Sequence, residues 1–327
     1  MANMNDVAKL AGVSRGTVSN YINGIKIKDH SRKKIEDAIN QLDYVPNQAA
    51  RALKMQRSNY VVFILPTIWN PFFSELTYYL QLELKEHGLK MLLCNSQNEY
   101  QQELDYIQMA KEQKVMGIIT ISYSDISHYL TSDLPIVSIE RYFNDSIPFI
   151  TSDNFGGGRL AAEILTKKGS KRLLMILRKI ENNLGLLERK SGFVSYCEEN
   201  NISYEVYLDE GDSKGFRKRV HKWIRENFKE RLSFDGIFAA TDRYAEYCLT
   251  AFENLQWQIP KHVQLIGFDG SKSYENEELI ISTIRQPVEE IAEISVKELM
   301  ALEVPRIKEK KKKYILPVSF AEAKTTR

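Results

Sequence analysis

Arg15 and Asn20 are the side chains best suited to reading a nucleic acid. An arginine can fork onto guanine O6 and N7, and an asparagine onto adenine N6 and N7. Both fall on the first turns of a short stretch whose apolar face is Val18, Tyr21 and Ile22, with Gly16, Thr17 and Ser19 beside them. The N-terminal residues of a recognition helix are the ones that meet base edges in a major groove. Asn3, Asn23 and Asn47 suit phosphate contact or helix capping better than base reading. Tyr44 suits packing with a polar tip, or contact with a nucleic-acid backbone.

Short helices must position these groups. Met4, Val7, Ala8 and Ala11 recur at i, i+3, i+4 and i+7, one face of a helix. Asn3 and Asp6 form a weak capping box at its start. Gly12 ends it, and Ser14 is placed to cap the next helix. A third helix carries Ile35, Ala38, Ile39 and Leu42, with Asp29 or Ser31 as its cap. Three short helices with a glycine-containing turn between the first two read as a helix-turn-helix. Any small three-helix unit shows the same spacing, so charge must decide. Residues 1–60 carry a net +5 while the whole chain carries +2, leaving −3 for the remainder. A basic head on a slightly acidic body fits a phosphate-binding module joined to something else.

The chain is too long for one compact core and implies two or three domains. It has no apolar run of membrane-spanning length. Its start, Met1 to Asp6, has neither the basic nor the apolar region of a secretory signal. Cys94, Cys197 and Cys248 are far apart in apolar or helical contexts, as buried free thiols in a reducing cytoplasm would be. Enzyme motifs are missing: there is no P-loop, Gly-x-Ser-x-Gly, His-Glu-x-x-His or Gly-x-Gly-x-x-Gly. The five histidines have no metal-ligand cadence, and Gly156-Gly157-Gly158 lacks the Lys-Ser/Thr of a phosphate loop. Neither catalysis nor a cofactor or metal is expected.

From Tyr60 onward strands and helices alternate. Tyr60–Leu65 is a continuous apolar run, as in a strand buried on both faces. Strands follow at 90–94, 117–121 and 135–139, with helices through 72–86 and 99–113. The alternation restarts with strands at 172–177, 205–208, 236–240 and 263–268, and helices near 156–168, 187–200, 214–229 and 243–255. Two such runs imply two parallel-sheet lobes with helices on both faces. A last helix, 289–302, and a strand, 314–318, are expected to return to the first lobe. The run Lys308 to Lys313 reads as a solvated loop.

One resemblance is specific. Asp6-Val7-Ala8-x-x-Ala11-Gly12-Val13-Ser14-x-x-Thr17-Val18-Ser19, then Tyr44-x-Pro46-Asn47-x-x-Ala50-Arg51-x-Leu53, resembles the DNA-binding headpiece and hinge of the LacI/GalR family of bacterial regulators. Asp153-Asn154-x-x-Gly157, Glu188-Arg189-x-x-Gly192-Phe193, Ile266-Gly267-Phe268-Asp269 and Thr283-Ile284-x-Gln286-Pro287 resemble turns of that family's periplasmic-binding-protein-like core. The resemblance implies a headpiece over 1–58, with a hinge helix near 46–55 whose Leu53 wedges into the minor groove while Ala50 lets two hinge helices approach. It implies a core over 59–327, with one lobe of about 60–157 plus 288–318 and another of about 158–287 plus 319–327. Arg15 and Gly16 occupy positions that set operator preference in the family, and Asn20 stands where relatives carry arginine or histidine.

In the core the resemblance points to Arg189 and Asp269 as binders of effector hydroxyls, with Phe72 or Phe73 as an aromatic plate. Glu140, Thr241, Asp242 and Ser122 complete the expected effector site, in the cleft at the strands' carboxyl ends. Capping competes for Asp242 and Asp153, and a salt bridge for Arg189. Ser213 follows Gly211-Asp212 where relatives often have an aromatic wall.

The expectation is an effector-responsive DNA-binding regulator, a cytoplasmic homodimer without membrane contact that represses a carbohydrate-utilisation operon. It would bind a palindromic double-stranded operator and a sugar or sugar phosphate. The end of the chain has no leucine heptad, so a dimer is expected rather than a tetramer. The alternative is a cytosolic sugar-binding protein that regulates no DNA.

Overall fold

A computed structural model describes residues 2–22, 24–45, 58–130, 134–180, 183–302 and 313–327. The chain divides into two units, Met1–Ser58 and Asn59–Arg327.

The first unit begins with α1 (Met4–Ala11), α2 (Arg15–Ile22) and α3 (Asp29–Gln41). Asn3 Oδ1 accepts the amides of Asn5 and Asp6, and the Asp6 carboxylate accepts the Asn3 amide at 2.8 Å, which closes the capping box. Gly12, at φ 63°, takes the left-handed conformation that ends α1. Ser14 Oγ accepts the Thr17 amide at 3.1 Å and starts α2. The cap expected at Asp29 or Ser31 does not form: α3 already begins at Asp29, after Lys28, whose side chain makes no capping bond. Val7, Ala8, Ala11, Val18, Ile35, Ala38 and Tyr44 make the core of this unit. The hinge stretch, with Pro46, Asn47, Ala50 and Leu53, lies outside the described residues, as do Asn23 and the lysine run up to Lys312.

The second unit holds two six-stranded sheets. The strands of the first are β1 (Tyr60–Leu65), β2 (Lys90–Asn95), β3 (Gly117–Thr120), β4 (Ile136–Ile139), β5 (Phe149–Ser152) and β11 (Lys313–Leu316), in the order β11-β5-β4-β3-β1-β2 and all parallel. Helices α4 (Pro71–Glu86), α5 (Tyr100–Glu112) and α10 (Val288–Leu302) cover it. Separate apolar clusters form, one beneath α4 and α10 and one beneath α5, as a sheet buried on both faces requires.

The second sheet contains β6 (Arg172–Arg178), β7 (Ser203–Asp209), β8 (Gly236–Ala239), β9 (Gln264–Asp269), β10 (Ser282–Arg285) and β12 (Ser319–Ala321). Its order is β12-β10-β9-β8-β6-β7, with only β12 antiparallel. Around it lie α6 (Asn154–Lys167), α7 (Leu184–Glu199), α8 (Ser213–Phe228) and α9 (Asp242–Asn254).

The chain passes between the sheets three times: from β5 to α6, from β10 to α10, and from β11 to β12. The last passage divides the single strand expected over 314–318. Pro317 offers no amide to a ladder, so β11 stops at Leu316 and the next residues pair in the other sheet.

Helices α6 and α7 touch through glycine. A Cβ on Gly158 would fall 2.0 Å from the Arg189 carbonyl oxygen, and one on Gly192 2.0 Å from that of Phe155. This close crossing fixes the backbone that carries Arg189.

Candidate functional site

Between the two sheets lies a cavity of about 350 Å³, within the size range of small-molecule sites. The topology explains its place, because parallel strands deliver their carboxyl ends and the following helices their N-termini to one edge. Asn70, Asn183 and Thr241 cap α4, α7 and α9, and all three line the cavity. Ser213 opens α8 and lines it as well.

Arg189 is 4 % exposed and has a tightly defined setting. Its Nε donates to Asn154 Oδ1 at 2.8 Å, and Nη1 donates to the Ala240 carbonyl at 2.7 Å and to Asp269 Oδ1 at 3.3 Å. The guanidinium carbon sits 3.5 Å from the centre of the Phe268 ring. Asp269 Oδ1 also accepts Gln286 Nε2 at 2.8 Å, and Gln286 Oε1 accepts the Ser152 hydroxyl at 2.7 Å. Asn154 Nδ2 donates to Thr151 Oγ1 and to the Ser152 carbonyl. A hydrogen-bonded chain thus joins the cavity's ion pair to two of the three interlobe passages.

Burial pushes the Asp269 carboxyl up to about 6, against the pull of Arg189 and of the Gln286 hydrogen bond. Burial likewise raises Glu140, again opposed by Arg189. Glu140 is surrounded by protein yet keeps surface open to the cavity. Both residues have positive φ, 67° for Glu140 and 112° for Asp269. Strained backbone of this kind at a strand end persists where the surroundings hold it, often at a binding site.

The structure brings Phe72, Phe73, Glu140, Arg189, Thr241 and Asp269 together on the cavity wall. Ser122 and Asp242 stand behind that wall. Ser122 is fully buried and donates to Glu103 Oε2 at 2.5 Å. Asp242 accepts the Gly270 amide at 2.7 Å and the Thr283 hydroxyl at 2.6 Å, bracing β9 and β10. Capping of α9 falls to Thr241, whereas Asp153 does cap α6 through the Gly156 amide at 2.7 Å.

Residue types alone did not single out Tyr123, Arg178, Arg243, Tyr244 and Tyr247, which also line the cavity. Their common signal is position, at or just past a strand's carboxyl end or in the first turns of the next helix. Trp69, 85 % exposed, stands at the mouth, where its carbonyl accepts Arg243 Nη2 at 3.1 Å from the opposite lobe.

In the first unit, Asn3, Ser14, Arg15, Gly16 and Asn20 are exposed, and Thr17 and Ser19 are half-buried. Ser14 and Thr17 hydroxyls hydrogen-bond each other at 2.9 Å. Tyr44, only 9 % exposed, is chiefly a core residue.

Fold and site define a class: a helix-turn-helix DNA-binding head in one chain with a two-lobed, cavity-bearing body. The profile described as "Bacterial regulatory proteins, lacI family" matches residues 3–47, and "Periplasmic binding protein-like domain" matches residues 162–325. The sucrose operon repressor of Streptococcus mutans is 36 % identical over 323 residues, 98 % of each chain. A periplasmic binding protein/LacI transcriptional regulator from Alkaliphilus metalliredigens, solved with D-xylulofuranose, is 27 % identical with a TM-score of 0.71, covering 83 % of this chain and all of that one. The Lac repressor dimer bound to operator shares the fold, with a TM-score of 0.84 at 20 % identity over 99 % of both chains. The chain belongs to the LacI family of bacterial regulatory proteins.

Proposed function

We propose that this regulator is a sugar-responsive repressor of a carbohydrate-utilisation operon, acting in the cytoplasm as a dimer on a palindromic operator. The observation that carries the proposal is the interlobe cavity, where the Glu140 and Asp269 carboxylates, the Arg189 fork and aromatic walls surround a space suited to a polyol. The repressor role is supported by the full-length likeness to a sucrose operon repressor. Arg15, Gly16, Thr17, Ser19 and Asn20 read the half-site, with Asn3, Ser14, Asn23, Tyr44 and Asn47 at the DNA backbone, Leu53 in the minor groove and Ala50 letting the two hinge helices approach. Sugar in the cavity favours one lobe arrangement and disfavours the state that holds operator.

Binding of the full chain to a symmetric duplex, titrated with salt and then with sucrose and other sugars, tests this. Arg15→Ala is expected to cost about 1–3 kcal/mol of operator affinity and to relax preference at one base pair. Leu53→Asp is expected to weaken binding further by removing the wedge. Equal affinity for symmetric and random duplexes would leave a sugar-binding protein that regulates no DNA.

A further inference from the structure

Among the described residues, positive charge in the interlobe cavity exceeds the negative charge that faces it. Three guanidinium groups line it, Arg178, Arg189 and Arg243, against two carboxylates, Glu140 and Asp269. Arg189 and Asp269 are already paired with each other at 3.3 Å. Arg178 and Arg243 have neutral partners. Arg178 Nη1 donates to the Lys179 carbonyl at 3.4 Å, and its side chain hydrogen-bonds Tyr244. Arg243 Nη2 donates to the Trp69 carbonyl. Among the described residues neither has a carboxylate within ion-pair distance. Glu246, one turn along α9, feels the charge of Arg243 but also that of Arg217.

The backbone adds to this excess. Helices α7, α8 and α9 all direct their N-termini at the cavity, through Asn183, Ser213 and Thr241. Each end is capped by a side chain, Asn183, Asp212 and Thr241, and the Asp212 carboxylate already offsets the positive end of α8, leaving α7 and α9 to add positive potential. A neutral sugar could satisfy Glu140, Asp269 and Arg189 with its hydroxyls. It would then cover the half-buried Arg178 with no counter-charge, which is costly, and leave Arg243 exposed at the mouth without one. An anionic group reverses the sign of that cost, since guanidinium binds phosphoryl and carboxylate oxygens by charge-assisted forks.

We propose that the effector is an anionic sugar, its phosphoryl or carboxylate group seated against Arg178 and Arg243 and its hydroxyls on Glu140, Arg189 and Asp269. This rests on the cavity being the effector site. The anion supplies the counter-charge that Arg178 and Arg243 lack among the described residues, so the site selects against the neutral parent sugar.

Calorimetric titration of the full chain tests the proposal with matched pairs: sucrose against sucrose 6-phosphate, glucose against glucose 6-phosphate, and glucose against glucuronate. The third pair separates a carboxylate from a phosphoryl group. In at least one pair the anion is expected to bind roughly 10- to 100-fold tighter than its parent. Arg178→Gln and Arg243→Gln together are expected to bring the two within a few-fold. A neutral parent matching its anion in every pair, an anionic preference that survives both substitutions, or no binding by any anion of the panel overturns it. Operator binding by the ligand-free chain is measured on the same preparation. Its loss would sink the repressor proposal and leave the cavity result standing.

Discussion

Asp269 occupies a position that only a well-supported carboxylate could hold. Its φ of 112° costs backbone energy, and its charge is buried beside a single guanidinium. Because burial lifts its pKa to about 6, the folded state holds this proton more tightly than the unfolded chain does. Stability therefore falls as pH rises from about 4 to about 6, and is not regained above that. Asp242, raised by burial and by the charge of Asp269, adds in the same direction. Thermal melts of the ligand-free chain between pH 4.5 and 6.5 should show a smaller decline for Asp269→Asn than for the native sequence; equal slopes would refute the assignment. Ligand binding should show the opposite trend. An ionised carboxylate accepts a sugar hydroxyl more strongly than the protonated acid does, so affinity is expected to weaken as pH drops through about 6, and the pH dependence should flatten in Asp269→Asn.

The elements holding these residues meet at two unusually tight places. Glu75, in the second turn of α4, reaches from the first lobe to Arg285 at the end of β10 in the second, with Nη2–Oε1 at 2.5 Å and Nη1–Oε2 at 2.8 Å. Glu75 Oε2 also accepts the Lys272 amide at 3.1 Å. Arg285 keeps 24 % of its side chain exposed, so Glu75→Ala should cost roughly 2–4 kcal/mol in urea unfolding, near the lower end of values for buried pairs. The second place is the α6–α7 crossing. Gly158→Ala would force a methyl onto the Arg189 carbonyl and should cost at least about 1–3 kcal/mol, with weaker sugar binding because Arg189 moves. Elements of this kind were readable in the sequence where physics made them long and apolar, as for Tyr60–Leu65 and Arg172–Leu177. Three short strands, Phe149–Ser152, Ser282–Arg285 and Ser319–Ala321, give no strand signal in the sequence, because three or four residues carry no periodicity. The cavity was legible in a similar way. Arg189 and Asp269 stood inside recognisable turns, but Arg178 at a strand's last position looks like any surface arginine. Asp242 shows the converse, since a carboxylate opening a helix looks the same whether it caps, binds a ligand or braces a neighbouring strand.

At the scale of the whole molecule, two compact units divide the work of binding DNA and binding a sugar, and only a shared conformational equilibrium can make one depend on the other. A sugar that bound both lobe arrangements equally would leave the operator occupied however tightly it bound. The Ser152–Gln286–Asp269–Arg189–Asn154 chain gives the cavity a physical hold on the interlobe passages, because the same side chains that meet the ligand are bonded to the segments about which the lobes would turn. Linkage then makes a demand that needs no further structural assumption. The factor by which saturating sugar lowers operator affinity must equal the factor by which saturating operator lowers sugar affinity. Measured at one salt concentration, since phosphate contacts make DNA binding steeply salt-dependent, the two factors should agree. Gln286→Leu should shrink both together toward one while leaving the head's own DNA contacts in place. Native values of both factors in Gln286→Leu would refute the idea that this side-chain chain joins the two sites.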